Sequence, residues 1–310
     1  MIANVITGAI IGIEGYKITV EVDICSTIPG LTIVGLPDMA VSEAKERIRS
    51  AIKNSGYEFP SRRIVINLAP ADIKKEGSGF DLPMAVGVLA ANGDIKFESL
   101  ADTGFLGELS LDGSLRAVNG VLPITIGLKN AGIKKIVVPE KNAKEAALVD
   151  GVEVYPVNDL HDVLKFLNPP AISEFRIQPF TIDIREILDK TTQEEIPFDF
   201  KDVKGQEKAK RALEIAAAGG HNILMSGSPG SGKTLLAKCF AGILPPLEFS
   251  EAMELTKIYS VSGILEKNEP LVTTRPFRSP HHSASYAGII GEEQTLSPEK
   301  SVWHIGEYFF

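Results

Sequence analysis

The residue types between His221 and Phe240, HNILMSGSPGSGKTLLAKCF, are those that bind phosphate. Three pieces stand in the order that this chemistry needs. Ile223, Leu224 and Met225 are a short apolar run that reads as a buried strand. Gly227, Ser228, Pro229, Gly230, Ser231 and Gly232 form a loop of tightly turning residues. Lys233 and Thr234 then open an apolar stretch whose Leu235, Leu236, Ala237 and Phe240 are spaced for a helix. The pattern is G-x-x-x-x-G-K-[ST]. Glycines leave backbone N–H groups free to converge on an anion, and a helix N-terminus places partial positive charge beneath it. The spacing predicts ATP and Mg²⁺ as ligands, with Lys233 reaching the β- and γ-phosphates and the Thr234 hydroxyl ligating the metal.

Such a loop must be held by packed elements. Upstream, residues 208–218 have apolar Ala209, Ala212, Leu213, Ala216 and Ala217 at helical spacing, and Gly219 and Gly220 stop that helix. Downstream, Pro245 and Pro246 precede a helix around residues 251–259 and the stretch RPFRSPHHS. The N-terminal half reads as a separate α/β domain. Strands are predicted at residues 5–9, 17–22, 31–34, 63–68, 104–111, 135–138 and 152–157, the first two antiparallel. Helices are predicted at 41–52, 82–91, 121–131, 141–148 and 159–167, the last capped by Asp159. Pro169 and Pro170 end this domain. Residues 169–197 read as a linker with one short helix near 184–188, and residues 198–310 as the phosphate-binding domain.

Composition sets bounds on function. The 310 residues suffice for about two domains. A net charge of −8 argues against a generally basic nucleic-acid-binding surface, while leaving room for a local patch or loop. Cys25 and Cys239 are the only cysteines and lie far apart, so neither a disulfide framework nor a structural metal is expected. His281 and His282 lack spaced partner ligands. The apolar run at residues 2–13 has no basic flank and is closed by Glu14, so no membrane span is expected and the location reads as cytoplasmic. Lys74 and Lys75 read as a solvated turn rather than a phosphate contact.

Four stretches resemble the magnesium-chelatase-like AAA+ ATPases, specifically the ComM/YifB family: GLTIVGLPDMAVSEAKERIRSAI, INLAPADIKKEGSGFDLPMA, DVKGQEKAKRALEIAAAGGHNILMSGSPGSGKT and RPFRSPHHSAS. The resemblance implies a hexameric, ATP-driven motor on DNA. It places Val203, Gly205 and Gln206 beside the adenine. Arg275, Phe277 and Arg278 become either a DNA-facing loop or a contact holding the insert against a neighbouring subunit. An ATP-driven remodeller of protein complexes and a non-enzymatic scaffold are the alternative readings. The N-terminal domain resembles the α+β fold shared by Lon protease domains and the second domain of ribosomal protein S5. Lon proteins use a serine–lysine dyad. Here Gly79 falls at the nucleophile position, Ser78 one place early, and Leu122 in place of the lysine, so the domain is expected to be inactive as a protease.

After Gly291 the family pattern G-G-x-x-P-x-P-G-E-[IV]-S-L-A-H-x-G-V-L-F gives way to GEEQTLSPEKSVWHIGEYFF. Codons for residues 291–310, read from the third base, can spell GGANPKPGEISLAHRGVLF, and the fixed codons of Trp303 and His304 force the Ala-His step. A frameshift near Gly291 is therefore expected, with residues 292–310 out of frame. The family's Walker B acids, sensors and arginine finger would lie beyond it, and the chain would be an inactive fragment.

Overall fold

The computed structural model describes residues 2–96, 100–168, 177–191, 198–265 and 269–279. The chain divides into two compact units. The first takes Met1–Ile182 with Ser260–Pro270, the second Asp183–Tyr259 with Leu271–Phe310. The first thus continues past Pro169 and Pro170, because the Phe180 N–H donates to the Val154 carbonyl at 2.7 Å.

The first unit is built on a seven-stranded sheet. β1 (Ile2–Ile11) and β2 (Glu14–Cys25) form an antiparallel hairpin. β4 (Arg63–Ala69) adds antiparallel to β2, and β3 (Gly30–Val34) lies parallel to β4 at one edge. On the other side β5 (Thr103–Phe105), β8 (Lys135–Pro139) and β9 (Glu153–Val157) follow β1, all parallel. The order is β3-β4-β2-β1-β5-β8-β9. Between β5 and β8, β6 (Glu108–Leu109) and β7 (Leu115–Arg116) form a small separate ribbon.

Alternation sets the two faces of the sheet. Val5, Val20 and Leu68 lie side by side across β1, β2 and β4, and with Ile18, Val22, Ile64 and Ile66 they bury one face. That face is covered by α2 (Asp81–Asn92), which is apolar nearly all round because it also packs against α1 (Met39–Asn54). The buried positions of α1 are Val41, Ala44, Ile48, Ala51 and Ile52, one helical stripe. Its start is capped by Asp38, whose carboxylate accepts the Val41 N–H at 2.7 Å.

The opposite face of the hairpin carries α3 (Val121–Asn130), with Ile124 and Leu128 in a second core beside Ile6 and Ile10. Here glycine is a matter of space. A Cβ at Gly127 would lie 2.0 Å from the Gly15 carbonyl oxygen, and one at Gly15 would lie 2.0 Å from the Pro123 carbonyl oxygen. Both obstacles are backbone and cannot swing away. Gly127→Ala is therefore expected to force α3 off β2 and cost about 3 kcal/mol, the upper part of the overpacking range. Thermal unfolding followed by far-UV circular dichroism should show the loss.

The unit closes with α4 (Ala143–Ala146) and α5 (Leu160–Leu167). Asp159 caps α5 as predicted, accepting the Asp162 N–H at 2.8 Å. Two sequence expectations change. The predicted strand over 104–111 is two strands, split at Gly107, whose backbone turns away to serve α2: its N–H donates to Gly79 and its carbonyl accepts from Leu82. Lys75 is fully buried rather than solvated, its ammonium donating to the Pro70 carbonyl, and burial pushes its pKa down.

The second unit contains α6 (Ile184–Thr191), α7 (Glu207–Gly219), α8 (Lys233–Ala241) and the greater part of α9 (Phe249–Ser262). Its core joins Val203, Leu213, Ala216, Ala217, Leu236, Cys239 and Phe240. The predicted strand at residues 223–225 is not one. The segment runs without ladder partners among the described residues. Ile223 and Met225 lean on this core, while Leu224 is 94% exposed. A strand exists only through its neighbours, and none of the described segments supplies one.

Candidate functional site

The phosphate-binding candidate lies between α7 and α8. α7 is closed by its C-cap Gly220, which is left-handed with φ 63°. The chain then passes through residues 221–226 into the glycine-rich loop. Gly230 and Gly232 have φ 77° and 86°, conformations an L side chain rarely adopts. Gly232 is the N-cap of α8, and no side chain caps the first turn. The N-terminal N–H groups of a nine-residue helix are thus left without a side-chain acceptor at the loop.

Lys233 is the first residue of α8, and its ammonium folds back over the loop. It donates to the Gly227 and Ser228 carbonyls, both at 2.9 Å, and to the Ser231 hydroxyl at 3.3 Å. The Ser231 N–H donates to the Ser228 carbonyl, which closes the turn. Thr234 sits beside it on the same first turn, exposed. These residues fit a polyphosphate: a loop with no Cβ at its tightest points, an uncapped helix start and a cation already held at its mouth.

The structure brings one more predicted residue to the loop. Gln206 donates from Nε2 to the Ser231 carbonyl at 3.4 Å and is itself left-handed, φ 58°. Gly205 precedes it, also left-handed at φ 71°. Val203 is placed differently from these two: it is buried in the helical core with Leu213 and Phe240.

The arginines near residue 275 are engaged within the second unit. Arg275 donates to the Pro245 carbonyl at 2.8 Å and to Glu251 of α9 at 2.9 Å. Arg278 donates to the Tyr259 hydroxyl at 3.2 Å and lies over that ring. Phe277 between them is half-buried. Sequence reading missed Glu251 and Tyr259 as their partners, since nothing local links positions so far apart. His281, His282, His304 and the whole stretch 292–310 lie outside the described residues. Among the described residues no cluster of His, Cys, Asp or Glu could hold a metal ion, and no helix is long and apolar enough to cross a membrane.

At the protease-like positions of the first unit, a Cβ at Gly79 would meet Val118 in ordinary van der Waals contact at 3.8 Å. Leu122 is fully buried, and its N–H donates to Glu145 at 2.9 Å. Glu145 also accepts from Asn142, and burial pushes its carboxyl pKa up. Ser78 donates its hydroxyl to Glu108, which also pairs with Arg116. The dyad's lysine position is held by Leu122, which carries no group that could take the serine proton. No cleavage of casein by the chain is expected, and Ser78→Ala should leave that result unchanged. Proteolysis lost on that substitution would assign Ser78 the nucleophile's role.

Comparison with known proteins adds the family. Residues 20–142 match the family described as subunit ChlI of Mg-chelatase, and residues 199–310 match magnesium chelatase, subunit ChlI. The chain therefore belongs to the magnesium-chelatase-like proteins. Within them it falls in the YifB/ComM group. It is 42% identical over 309 residues to YifB of Salmonella typhimurium, covering 99% of this chain and 59% of that protein. It is 40% identical over 290 residues to the competence protein ComM of Haemophilus influenzae, covering 94% and 56%. Lon protease 2 of Bacillus subtilis is 29% identical over 145 residues, 46% of this chain and 25% of its own length. The chain spans little more than half the length of YifB and ComM. The second family match runs to residue 310, past Gly291, where the sequence pattern alone ends the resemblance.

Proposed function

We propose that the glycine loop at Gly227–Gly232 with Lys233 and Thr234 binds ATP with Mg²⁺, and that the whole protein of which this chain carries that site is an ATP-driven, hexameric motor on DNA. The observation that carries the nucleotide reading is the Lys233 ammonium, held over a loop whose two left-handed glycines lead into an uncapped helix. ATP supplies the phosphoryl group and the free energy of its transfer. The residues of this chain bind and orient it. Lys233 exchanges two carbonyls and a hydroxyl for phosphate oxygens, Thr234 offers its hydroxyl to the metal, and the N-terminal turn of α8 faces the anion. Gln206, bonded to the loop through Ser231, stands on the adenine side.

The motor reading rests on the family and on the name of the Haemophilus relative, a competence protein. In that reading Arg275, Phe277 and Arg278 stiffen the segment after α9, where it meets DNA or a neighbouring subunit. The alternative is a remodeller of protein complexes. ATP turnover of the protein at the full length of its relatives, measured with and without branched DNA, separates the two. Stimulation supports the motor, and turnover indifferent to DNA removes it.

A further inference from the structure

We infer that the edge of β3, unpaired among the described residues, is a self-association site, at which β3 of a second copy of this chain pairs antiparallel about Thr32 and joins two seven-stranded sheets into one. The two ends of the sheet are treated differently. Beyond β9, the Val154 carbonyl accepts the Phe180 N–H. Beyond β3, no described segment pairs.

Proteins ordinarily guard such an edge with charge, a bulge or a covering element. Here residues 26–37, STIPGLTIVGLP, contain no charged residue. Large apolar side chains stand exposed along and beyond both ends of the strand: Ile28 is 85% exposed, Val34 41% and Leu36 56%. An uncharged, apolar, unpaired edge is built to be covered.

The occupant follows from the strand's own register. Gly30 pairs with Arg63 and donates its N–H to the Arg62 carbonyl, so Gly30, Thr32 and Val34 turn their backbone groups toward β4. Leu31 and Ile33 then turn theirs outward. An antiparallel partner is bonded at residues that exchange both N–H···O=C bonds. A second β3 with Leu31 opposite Ile33 satisfies all four outward groups of each strand's pair, and its two-fold axis passes through Thr32. The same register sets Leu31 against Ile33 on the core side and Gly30 against Val34 on the other. It also brings Ile28 of each copy to the Val34–Leu36 end of the other. Aliphatic cross-strand pairs of this kind stabilise a sheet, and a small side chain at the axis, Thr32, meets itself without charge.

Disulfide trapping reads the register directly. In the full 310-residue chain with Cys25→Ser, leaving Cys239 buried in α8, Thr32→Cys places two sulfurs at a non-hydrogen-bonded pair with Cα atoms about 4.5 Å apart, within disulfide reach. Val34→Cys displaces them by four residues along the strands, about 13 Å. Mild oxidation should link most of the Thr32→Cys chains as dimers and leave Val34→Cys chains single. Sedimentation of the chain with Thr32 intact should show twice the chain mass without nucleotide, and equally in Lys233→Ala. Thr32→Lys, which opposes an ammonium to itself, should weaken the dimer at least ten-fold, with the melting temperature unchanged when both chains are compared at concentrations where they are monomeric. Equal trapping at both positions overturns the pairing. So does a chain that stays monomeric at tens of micromolar, or one that dimerises only with ATP. The last result would place the interface at the phosphate-binding unit and leave the nucleotide reading standing.

Discussion

Lys233→Ala is expected to weaken ATP binding about thirty-fold, a loss of about 2 kcal/mol, and to abolish turnover wherever turnover occurs. A charge-assisted hydrogen bond to phosphate contributes about 1.5–3 kcal/mol, and each 1.4 kcal/mol is a factor of ten. The lower half of that range applies because Lys233 is not idle in the free chain. It gives up the Gly227 and Ser228 carbonyls and the Ser231 hydroxyl to reach phosphate. Those carbonyls are exposed and return to water at small cost. Lys233→Arg should fail almost as badly, since a bulky planar fork cannot stand where a compact ammonium must meet phosphate within a tight loop. Thr234→Ala should instead remove the Mg²⁺ dependence of binding and leave the affinity in EDTA unchanged. A fluorescent ATP analogue, titrated with and without Mg²⁺, measures all three. Folding is not at stake, because the helix is anchored by Leu236 and Phe240, which none of these changes touches. Equal affinity of Lys233→Ala and the parent chain would remove the loop as the nucleotide site.

The loop was legible because its function depends on local conformation. Glycine at 230 and 232 permits the left-handed backbone that a tight phosphate loop needs and that both adopt, and the following apolar spacing reports a helix. The stripe of α1 was legible for the same reason: one helix repeats with one period, and Val41, Ala44, Ile48, Ala51 and Ile52 are its buried set. What failed was whatever depends on partners distant in sequence. Residues 223–225 have the composition of a buried strand, but composition does not provide a neighbouring ladder. Lys75 reads as a solvated charge in KKEG, yet the loop it sits on tucks under residues 36–38, where its backbone N–H meets the Leu36 carbonyl and its carbonyl meets the Asp38 N–H. Gly107 gave no sign that it would break a strand in order to bond Gly79 and Leu82. The partners of Arg275, which reads as a DNA-facing or a subunit contact, were out of sight in the same way, since Glu251 and Pro245 lie more than twenty residues earlier.

The buried ion pair of Arg47 and Asp81 is another such long-range feature, and breaking it should cost the first unit more than any other single charge change. Asp81 opens α2 and its side chain is fully buried, while that of Arg47 is a quarter exposed. The guanidinium meets the carboxylate with two bonds, Nε at 2.7 Å and Nη2 at 3.0 Å, and Nη2 also donates to the Ala40 carbonyl. The Leu109 N–H completes the carboxylate's shell at 3.2 Å. One pair thereby ties α1, α2 and the β6 ribbon together. Burial nevertheless holds the Asp81 pKa above its usual value, the Arg47 bonds and charge acting against it. Arg47→Ala leaves a buried carboxylate with one backbone donor, and the expected loss near neutral pH is about 3 kcal/mol, the low end for an orphaned buried charge, because water reaches the Arg47 side. The pH dependence gives the sign. A carboxyl whose folded pKa lies above its unfolded value binds more protons when folded, so stability falls as pH rises through that interval. Without Arg47 the folded pKa climbs further and the interval widens upward. The deficit against the parent chain should therefore be small in acid, where Asp81 is protonated in both, and should grow toward neutral pH. Urea unfolding of both chains across that range checks it. Arg47→Ala with Asp81→Asn should recover part of the loss at neutral pH and remove the added pH dependence, since a neutral amide has no charge to orphan. A deficit equally large in acid would mean that lost packing of the Arg47 stem, rather than the stranded carboxylate, sets the cost.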